Sequence, residues 1–251
     1  SGSLLFAQVA ADPLDYFYDD LTIWETMGMV RNLPPVRPYP LPLVKTILES
    51  VMEKGDRTQR EIARSHFDRL FGRTVSFGGK TGLALDTYND YKQMDLAVSL
   101  DANFTFTDIV SASVSADGWA VNKLPDEELK PAWERSTKNI VKDNAKVGPF
   151  YILPSITSSI SVGTDDTYLN AGLMRGSWGP IYENGIIVGQ QAHAAGQFTF
   201  ALNRPKWCFD FSLFALSATA DDDVEDYYPD KYLSLHSFEY RPVDWFSISI
   251  F

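Results

Sequence analysis

The residues best suited to hold a ligand lie in two segments of the C-terminal half of the chain. They combine arginines, carboxylates, a histidine and a tryptophan: Arg175, Trp178, Glu183, His236, Glu239 and Arg241. Guanidinium groups form strong charge-assisted hydrogen bonds, and an indole adds a broad apolar surface with one N–H donor. Side chains of these types could bind a polar ligand or form a polar network within the protein.

No residues stand in a catalytic arrangement. His66, His193 and His236 are far apart in the sequence and lack the paired spacing of a zinc protease, and no nucleophile motif or phosphate-binding loop is present. Carboxylates are abundant, so a glycosidase pair stays open, but no signature singles one out. The lone Cys208 lies in an alternating apolar segment and reads as packing. We predict that the chain is not an enzyme and uses no cofactor.

An acidic segment offers a weak alternative metal site. Asp221, Asp223 and Glu225 lie within a few residues of one another and could supply oxygen ligands to calcium. The segment lacks the sixth-position glycine and the fixed spacing of an EF-hand. We therefore interpret residues 220–231 as a solvated acidic loop and predict no metal, with calcium as the alternative.

Composition excludes several classes of protein. The 251 residues carry a formal net charge of −11, which disfavours nucleic acid because phosphates require a basic surface. No run reaches the roughly 18–20 apolar residues that a membrane helix needs. Residues 4–11 have the small-residue character of the end of a signal peptide, while residues 1–3 also read as a cloning remnant.

Residues 1–73 are predicted to form an N-terminal helical region. A first helix should follow Asp12 and Pro13, and a proline-rich strap over residues 32–42 should separate it from a second helix ending near Gly55. A third helix, capped by Asp56, carries a basic face that would meet anionic lipid headgroups, an acidic partner or water. That face comprises Arg57, Arg60, Arg64, Arg69 and Arg73.

From residue 74 the period changes to two, and residues 74–251 are predicted to form an antiparallel β-meander. One strand face is oily and the other is polar, with Asp86, Asp101, Asn103, Asp210 and His236 on the polar face. Aromatic residues crowd the strand ends, at Phe104, Phe106, Trp119, Trp207, Tyr240 and Trp245. A polar, partly helical insertion is predicted at residues 122–148.

The connections between these strands differ in length at the two ends of the sheet. Tight turns at residues 107–108, 165–166, 204–205 and 241–244 should fall at one end, and long loops at the other. An outer-membrane barrel has this asymmetry, although a soluble sandwich also alternates. We predict a mostly β protein whose meander of about nine strands comes from a truncated outer-membrane-type β-barrel, because the last segment still alternates at Phe251.

Residues 175–180, 185–192 and 232–245 resemble the Wzi-like capsule-assembly family of outer-membrane β-barrels. The resemblance implies a non-enzymatic protein in the outer membrane of a diderm bacterium, with periplasmic helices, which contacts outer-membrane lipid. It also implies that the protein binds surface polysaccharide at the barrel mouth or lumen, through Arg175, Trp178, Glu183, His236, Glu239 and Arg241. On a structural interpretation, Trp178 plugs the barrel mouth and Arg175 pairs with Glu183 or Glu239. Alternatives are a porin-like solute channel and a soluble periplasmic interaction protein.

Overall fold

A computed structural model describes residues 13, 15–88, 91–107, 109–122, 145–179, 188–189, 194–216, 231–243 and 246–251. Over these residues the protein is mostly β, with three helices and antiparallel sheets, as predicted. Several predictions fall outside the described residues. These are the signal-peptide-like residues 4–11, positions 123–144 of the insertion, and Glu183, Asp221, Asp223 and Glu225.

The three helices are α1 (Tyr16–Thr26), α2 (Leu41–Lys54) and α3 (Arg57–Phe71). The cap of α1 is Asp15, whose carboxylate accepts a hydrogen bond from the Phe17 amide at 2.8 Å, so the helix begins later than the predicted start after Asp12 and Pro13. The predicted cap of α3 is confirmed, because Asp56 accepts from the Gln59 amide at 2.9 Å. Both caps satisfy amides that have no partner within the helix.

The helices share one apolar core with the sheet. Its helical members lie mainly on one face of α1 and α2, including Phe17, Leu21, Trp24, Val44, Ile47 and Val51, all of them buried. Tyr168 and Ala201, from two neighbouring strands, belong to the same cluster. The helices therefore cover one end of the sheet rather than forming a separate core.

Ten strands form the large sheet: β2 (Val75–Tyr88), β3 (Tyr91–Thr107), β4 (Val110–Val121), β5 (Ala145–Val147), β6 (Phe150–Gly163), β7 (Thr167–Met174), β9 (Ala195–Arg204), β10 (Trp207–Leu216), β11 (Lys231–Val243) and β12 (Phe246–Ile250). Nine of them follow the order β12-β11-β10-β9-β7-β6-β4-β3-β2, and every neighbouring pair is antiparallel. The short β5 pairs with β6 alone. A second sheet joins β1 (Val36–Arg37) to β8 (Ser177–Trp178).

Two boundaries differ from those expected. The predicted tight turn at residues 241–244 is mostly strand, because β11 continues to Val243 through a register shift after Tyr240. The insertion predicted at residues 122–148 ends in β5, which turns back onto β6. In both places strand pairing extends into residues that were predicted to form a connection, through a register shift in β11 and through the short strand β5.

The antiparallel register places the short connections together. The turns after β3, β6, β9 and β11 lie at one end of the sheet, and the long connections after β4, β7 and β10 lie at the other. The turn at Pro205 and Lys206 joins Arg204 directly to its partner Trp207. This predicted asymmetry is confirmed, with the short connection after β2 at the long-loop end.

The sheet is open over the described residues. Its outer members are β2 and β12, and the hydrogen-bonded order ends at each of them. No pairing between these two strands closes the sheet within the part of the chain that the structure describes.

The polarity of the two faces of the sheet is the reverse of that expected for a protein in water, where apolar side chains are buried and polar ones are exposed. In one cross-strand row, Ile160 is 47% exposed and Leu213 is 37% exposed, with Phe198 between them. In the adjacent row on the opposite face, Ser161 is 1% exposed and Ser212 is 0% exposed. We call the first the outer face and the second the inner face. The apolar residues therefore face outward while the hydroxyl groups are buried.

Gly163 ends β6 in a conformation that suits glycine. Its φ is +138°, and a Cβ at this position would lie 2.2 Å from the Thr167 carbonyl oxygen. We expect Gly163→Ala to destabilise the fold by about 1–3 kcal/mol, because an L-residue is strained in this region and the neighbour is backbone. Gly118→Ala is the matched control, since a Cβ there meets nothing within 4 Å. Chemical unfolding of both variants tests this, and equal loss in the two would contradict it.

Candidate functional site

The strap between α1 and α2 runs along the inner face of the sheet. Its strand β1 pairs with β8, so that Val36 lies opposite Trp178. The amide of Asn170 on β7 donates to the Pro38 carbonyl oxygen at 3.0 Å, and the Gly179 amide donates to the Pro35 carbonyl oxygen at 3.2 Å. These contacts bring the proline-rich segment and the segment containing Arg175 into one buried assembly.

Arg241 is the main polar link between the strap and the sheet. Its guanidinium donates to the carbonyl oxygens of Asn32 at 3.0 Å and Leu33 at 2.9 Å. It also donates to Asn203 Oδ1 at 2.9 Å and forms an ion pair with Glu239 at 2.8 Å. The residue is only 4% exposed. Arg241 therefore acts as a structural clamp that satisfies otherwise unpaired strap carbonyls.

A second arginine is held on the strap itself. Arg37 Nη2 lies 3.2 Å from Glu25 Oε2 of α1, and its guanidinium lies over the rings of Tyr18 and Tyr39 at 5.3 and 5.7 Å. Burial raises the pKa of Glu25 above its usual range in spite of the nearby Arg37. Burial likewise raises the pKa of the Tyr39 hydroxyl, which donates to the Pro34 carbonyl oxygen at 2.6 Å. Neutral Tyr39 thus closes the strap on itself.

Glu239 and Arg241 also line an open cavity of about 370 Å³ beside the β12 edge. Its walls come from the strap, from α1 and from the inner face of β12, including Arg31, Glu25, Ser247 and Ser249. The cavity is polar, and three of its charged side chains, Arg241, Glu239 and Glu25, are already hydrogen-bonded to other protein groups. Water or a neutral polar group fits this composition better than a charged ligand.

His236 does not join this cluster. It pairs across the strands with Phe211, and the two rings lie 4.9 Å apart on the outer face. Glu239 and Arg241 have the opposite parity on β11, and so their side chains are on the inner face. Placing His236 on the polar face with Asp210 was therefore wrong. The misplacement arose because β11 carries Leu233 and Leu235 on the inner face, which weakens its alternation.

Trp178 is fully buried beneath the strap, at 0% exposure. Its backbone pairs with Val36 on one side and with Val188 on the other. In the second pair the Trp178 amide donates to the Val188 carbonyl oxygen at 2.8 Å. Its ring is not available to stack on a ligand at the surface. The indole Nε1 is itself buried and has no hydrogen-bond partner in the described part of the chain.

Arg175 lies three residues earlier and is 8% exposed. Its Nη1 is buried without a hydrogen-bond partner, and no carboxylate of the described residues forms an ion pair with it. The predicted pairing with Glu239 is not formed, because Glu239 bonds to Arg241. The other proposed partner, Glu183, is outside the described residues.

The basic face of α3 is smaller than the sequence indicated. Arg69 turns inward and forms a two-point ion pair with Asp15 at 2.9 and 3.0 Å, with its guanidinium 4.3 Å from the Tyr16 ring. Its Nη2 also lies 3.0 Å from His66 Nδ1, and His66 Nε2 lies 2.8 Å from Asp20. Arg57, Arg60 and Arg64 remain on the exposed surface, around an open groove of about 430 Å³.

Sequence reasoning missed Arg37 and Asn170, which fix the strap to α1 and to the sheet. One signal was present for Arg37. A charged residue flanked by prolines and aromatics is unusual in a solvated linker, and such residues are rarely buried unless they are paired. Nothing in the alternating sequence of β7 distinguished Asn170 from the other polar residues of the inner face.

Among the described residues, no helix has the length and apolar character to cross a membrane. Over the same residues, no three His, Cys, Asp or Glu side chains gather as metal ligands. Comparisons of the chain with protein-family models, with curated proteins and with solved structures found no match.

Proposed function

We propose that the sheet is part of the wall of an outer-membrane β-barrel, that its interior is closed by the strap, and that the protein attaches or assembles surface polysaccharide without acting as an enzyme. The observation that carries the membrane part is the reversed polarity of the sheet. Strands of 8 to 17 residues supply the length, since a tilted membrane strand needs about 9–11.

The energetic argument compares the outer face with a surface in water. Rows of exposed isoleucine, leucine, valine and phenylalanine extend across neighbouring strands from β2 to β12. A soluble monomer rarely exposes a contiguous apolar patch larger than a few hundred Å². In lipid hydrocarbon, unlike in water, exposing these apolar side chains costs no hydrophobic free energy. The backbone of the strands is already hydrogen-bonded within the sheet, so it can enter the membrane. The two open edges would require pairing with other strands in the membrane.

Aromatic residues favour the same orientation. At the short-turn end, Trp207 stacks with Phe238 at 6.2 Å and pairs with Tyr240, while Phe104 stacks with Phe106 at 6.1 Å. Aromatic girdles mark the membrane–water interface of outer-membrane barrels. Because the helices cover this same end, the proposal places them in the periplasm, beside the short turns.

The interior argues for an attachment role over a porin-like channel. The strap occupies the inner face and is held there by Arg241, Asn170 and β8. A water-filled channel requires an unobstructed lumen. The role in polysaccharide assembly or attachment is supported by the resemblance of residues 175–180 and 232–245 to the Wzi-like family, and polysaccharide is the proposed partner on that basis.

Membrane fractionation tests the proposal. We expect the protein expressed with its native flanking sequence to enter the outer-membrane fraction, to resist carbonate extraction and to migrate faster on gels before heating than after. Folded barrels keep their compact form in unheated detergent, because their strands are mutually hydrogen-bonded. Recovery in the soluble periplasmic fraction would overturn the membrane assignment, and ion conductance in planar bilayers like that of an open porin would overturn the closed interior.

A further inference from the structure

Arg175 is a buried cation for which the described protein offers no counter-charge. Burying an unpaired ion is unfavourable, and proteins normally pair such a group or neutralise it. A guanidinium keeps its proton in proteins, so it cannot escape this cost by becoming neutral. An arginine in this position therefore calls for an anion from elsewhere.

Four carboxylates on the inner face of the described residues contact groups other than Arg175. Asp101 accepts from the Ser115 hydroxyl at 2.6 Å, and Asp117 accepts from the Ser99 hydroxyl. Asp210 accepts from the Cys208 thiol at 3.1 Å, and Glu239 pairs with Arg241. These contacts leave Arg175 without a carboxylate among the residues that the structure describes.

The surroundings of Arg175 contain further unused polar groups. A Cβ added to Gly176 would lie 2.5 Å from Gln197 Oε1, so the chain passes directly over Gln197. That oxygen is buried without a partner, while Gln197 Nε2 donates to Thr199 at 2.9 Å. The indole N–H of Trp178, in the same four-residue segment as Arg175, is also unused. Residues 175–178 thus hold a cation and a neutral donor, and Gln197 of β9 adds a neutral acceptor beside Gly176, each on a side chain at least nine-tenths buried.

We propose that Arg175, which directly follows the long-loop end of β7, binds the carboxylate of an acidic sugar residue. Trp178 Nε1 and Gln197 Oε1 are the neutral hydrogen-bonding groups of the same subsite. A uronate fits this set because it presents one carboxylate, which a guanidinium recognises in a planar two-point contact, together with hydroxyls that both donate and accept. Inorganic phosphate would use the same cation and can also donate from its P–OH groups, so it is the competing ligand that the binding experiment must distinguish from a uronate. This inference rests on the proposed polysaccharide function and specifies its ligand class.

Binding to the detergent-solubilised full-length protein tests the proposal. Oligogalacturonate is the acidic probe, its methyl ester is the uncharged counterpart of the same sugar chain, and inorganic phosphate is the third probe. By titration calorimetry we expect the methyl ester to bind at least tenfold more weakly than the acid. Arg175→Gln should lose at least tenfold in affinity for the acid, and Arg175→Lys should lose less because it keeps the charge.

Two further variants separate binding from folding. Trp178→Phe removes the N–H while keeping most of the ring, and we expect a smaller loss of affinity than with Arg175→Gln. Arg57→Gln, at a site whose side chain is 92% exposed, is the charge-matched control and should bind like the wild type. Without ligand, Arg175→Gln should melt at the same temperature as the wild type or higher, since it removes an unpaired buried charge.

Several outcomes would overturn the inference. One is a lower melting temperature of Arg175→Gln together with unchanged affinity, which would make Arg175 a scaffold residue. Another is equal binding of the acid and its methyl ester, and a third is Arg175-dependent binding of phosphate but not of oligogalacturonate. Because these measurements are made in micelles, they are independent of the fractionation result that tests the membrane assignment.

Discussion

Arg241→Ala is expected to lower the free energy of unfolding by about 3–5 kcal/mol, the usual cost of removing one partner of a buried ion pair. The variant leaves Glu239 without its cation and removes the donors for the Asn32 and Leu33 carbonyl oxygens. Buried carbonyls that lose their donors add to the loss. The strap should then detach from the inner face, because Arg241 supplies two of its hydrogen bonds to the sheet.

Guanidinium unfolding in detergent micelles measures the loss, and limited trypsin digestion locates it. Detachment of the strap should speed cleavage after Arg31, which precedes the clamped carbonyls. Arg57→Ala is the control, since its ion pair with Glu61 is exposed and contributes at most a few tenths of a kcal/mol. A loss below about 1 kcal/mol with unchanged cleavage after Arg31 would show that Arg241 does not hold the strap.

Leu213→Arg is expected to destabilise the membrane-inserted protein by about 2–4 kcal/mol, the range measured for arginine near the middle of the lipid-facing surface of a barrel. Leu213 lies within β10 on the outer face, in the same cross-strand row as Phe198. The guanidinium would have to leave water for hydrocarbon, with no acidic partner in that apolar row.

Reversible unfolding from lipid vesicles measures this effect, with Ser65→Arg on the exposed surface of α3 as the matched control. The two environments predict opposite results. If the outer face contacts lipid, Leu213→Arg loses stability while Ser65→Arg stays within about 0.5 kcal/mol of the wild type. If the outer face contacts water, the two variants behave alike and Leu213→Arg improves solubility, which would contradict the membrane assignment.

Local patterns in the sequence were enough to predict most of the secondary structure. The alternation in residues 96–106 and 198–213 predicted strands with one oily face, and their register confirms this assignment. Asp56 correctly marked the start of α3, because capping depends on residues within one turn of the helix end. The predicted start of α1 was less accurate, since Asp12, Pro13 and Asp15 all suit a helix start and only packing selects among them.

The candidate site was less predictable, because its members meet through contacts between distant parts of the chain. Arg241 and the Asn32 carbonyl are 209 positions apart, and nothing local to either identifies the other. The family resemblance grouped His236 with Glu239 and Arg241, but a strand places residues of opposite parity on opposite faces. Arg69 was similarly read as a surface residue, although its partner Asp15 lies 54 positions away.

The sequence alone therefore determined the strand periodicity, the uneven turn lengths and the polarity of the faces of the regularly alternating strands, since these depend on residues one or two positions apart. It did not do so for β11, where His236 was assigned to the wrong face. Only the tertiary structure decided that the polar face is the buried one and that the strap covers it. It also separated Arg175, which has no partner among the described residues, from Arg241, which has several. Such differences depend on what packs against a side chain, and in this fold the packing partners come from elements far apart in the chain.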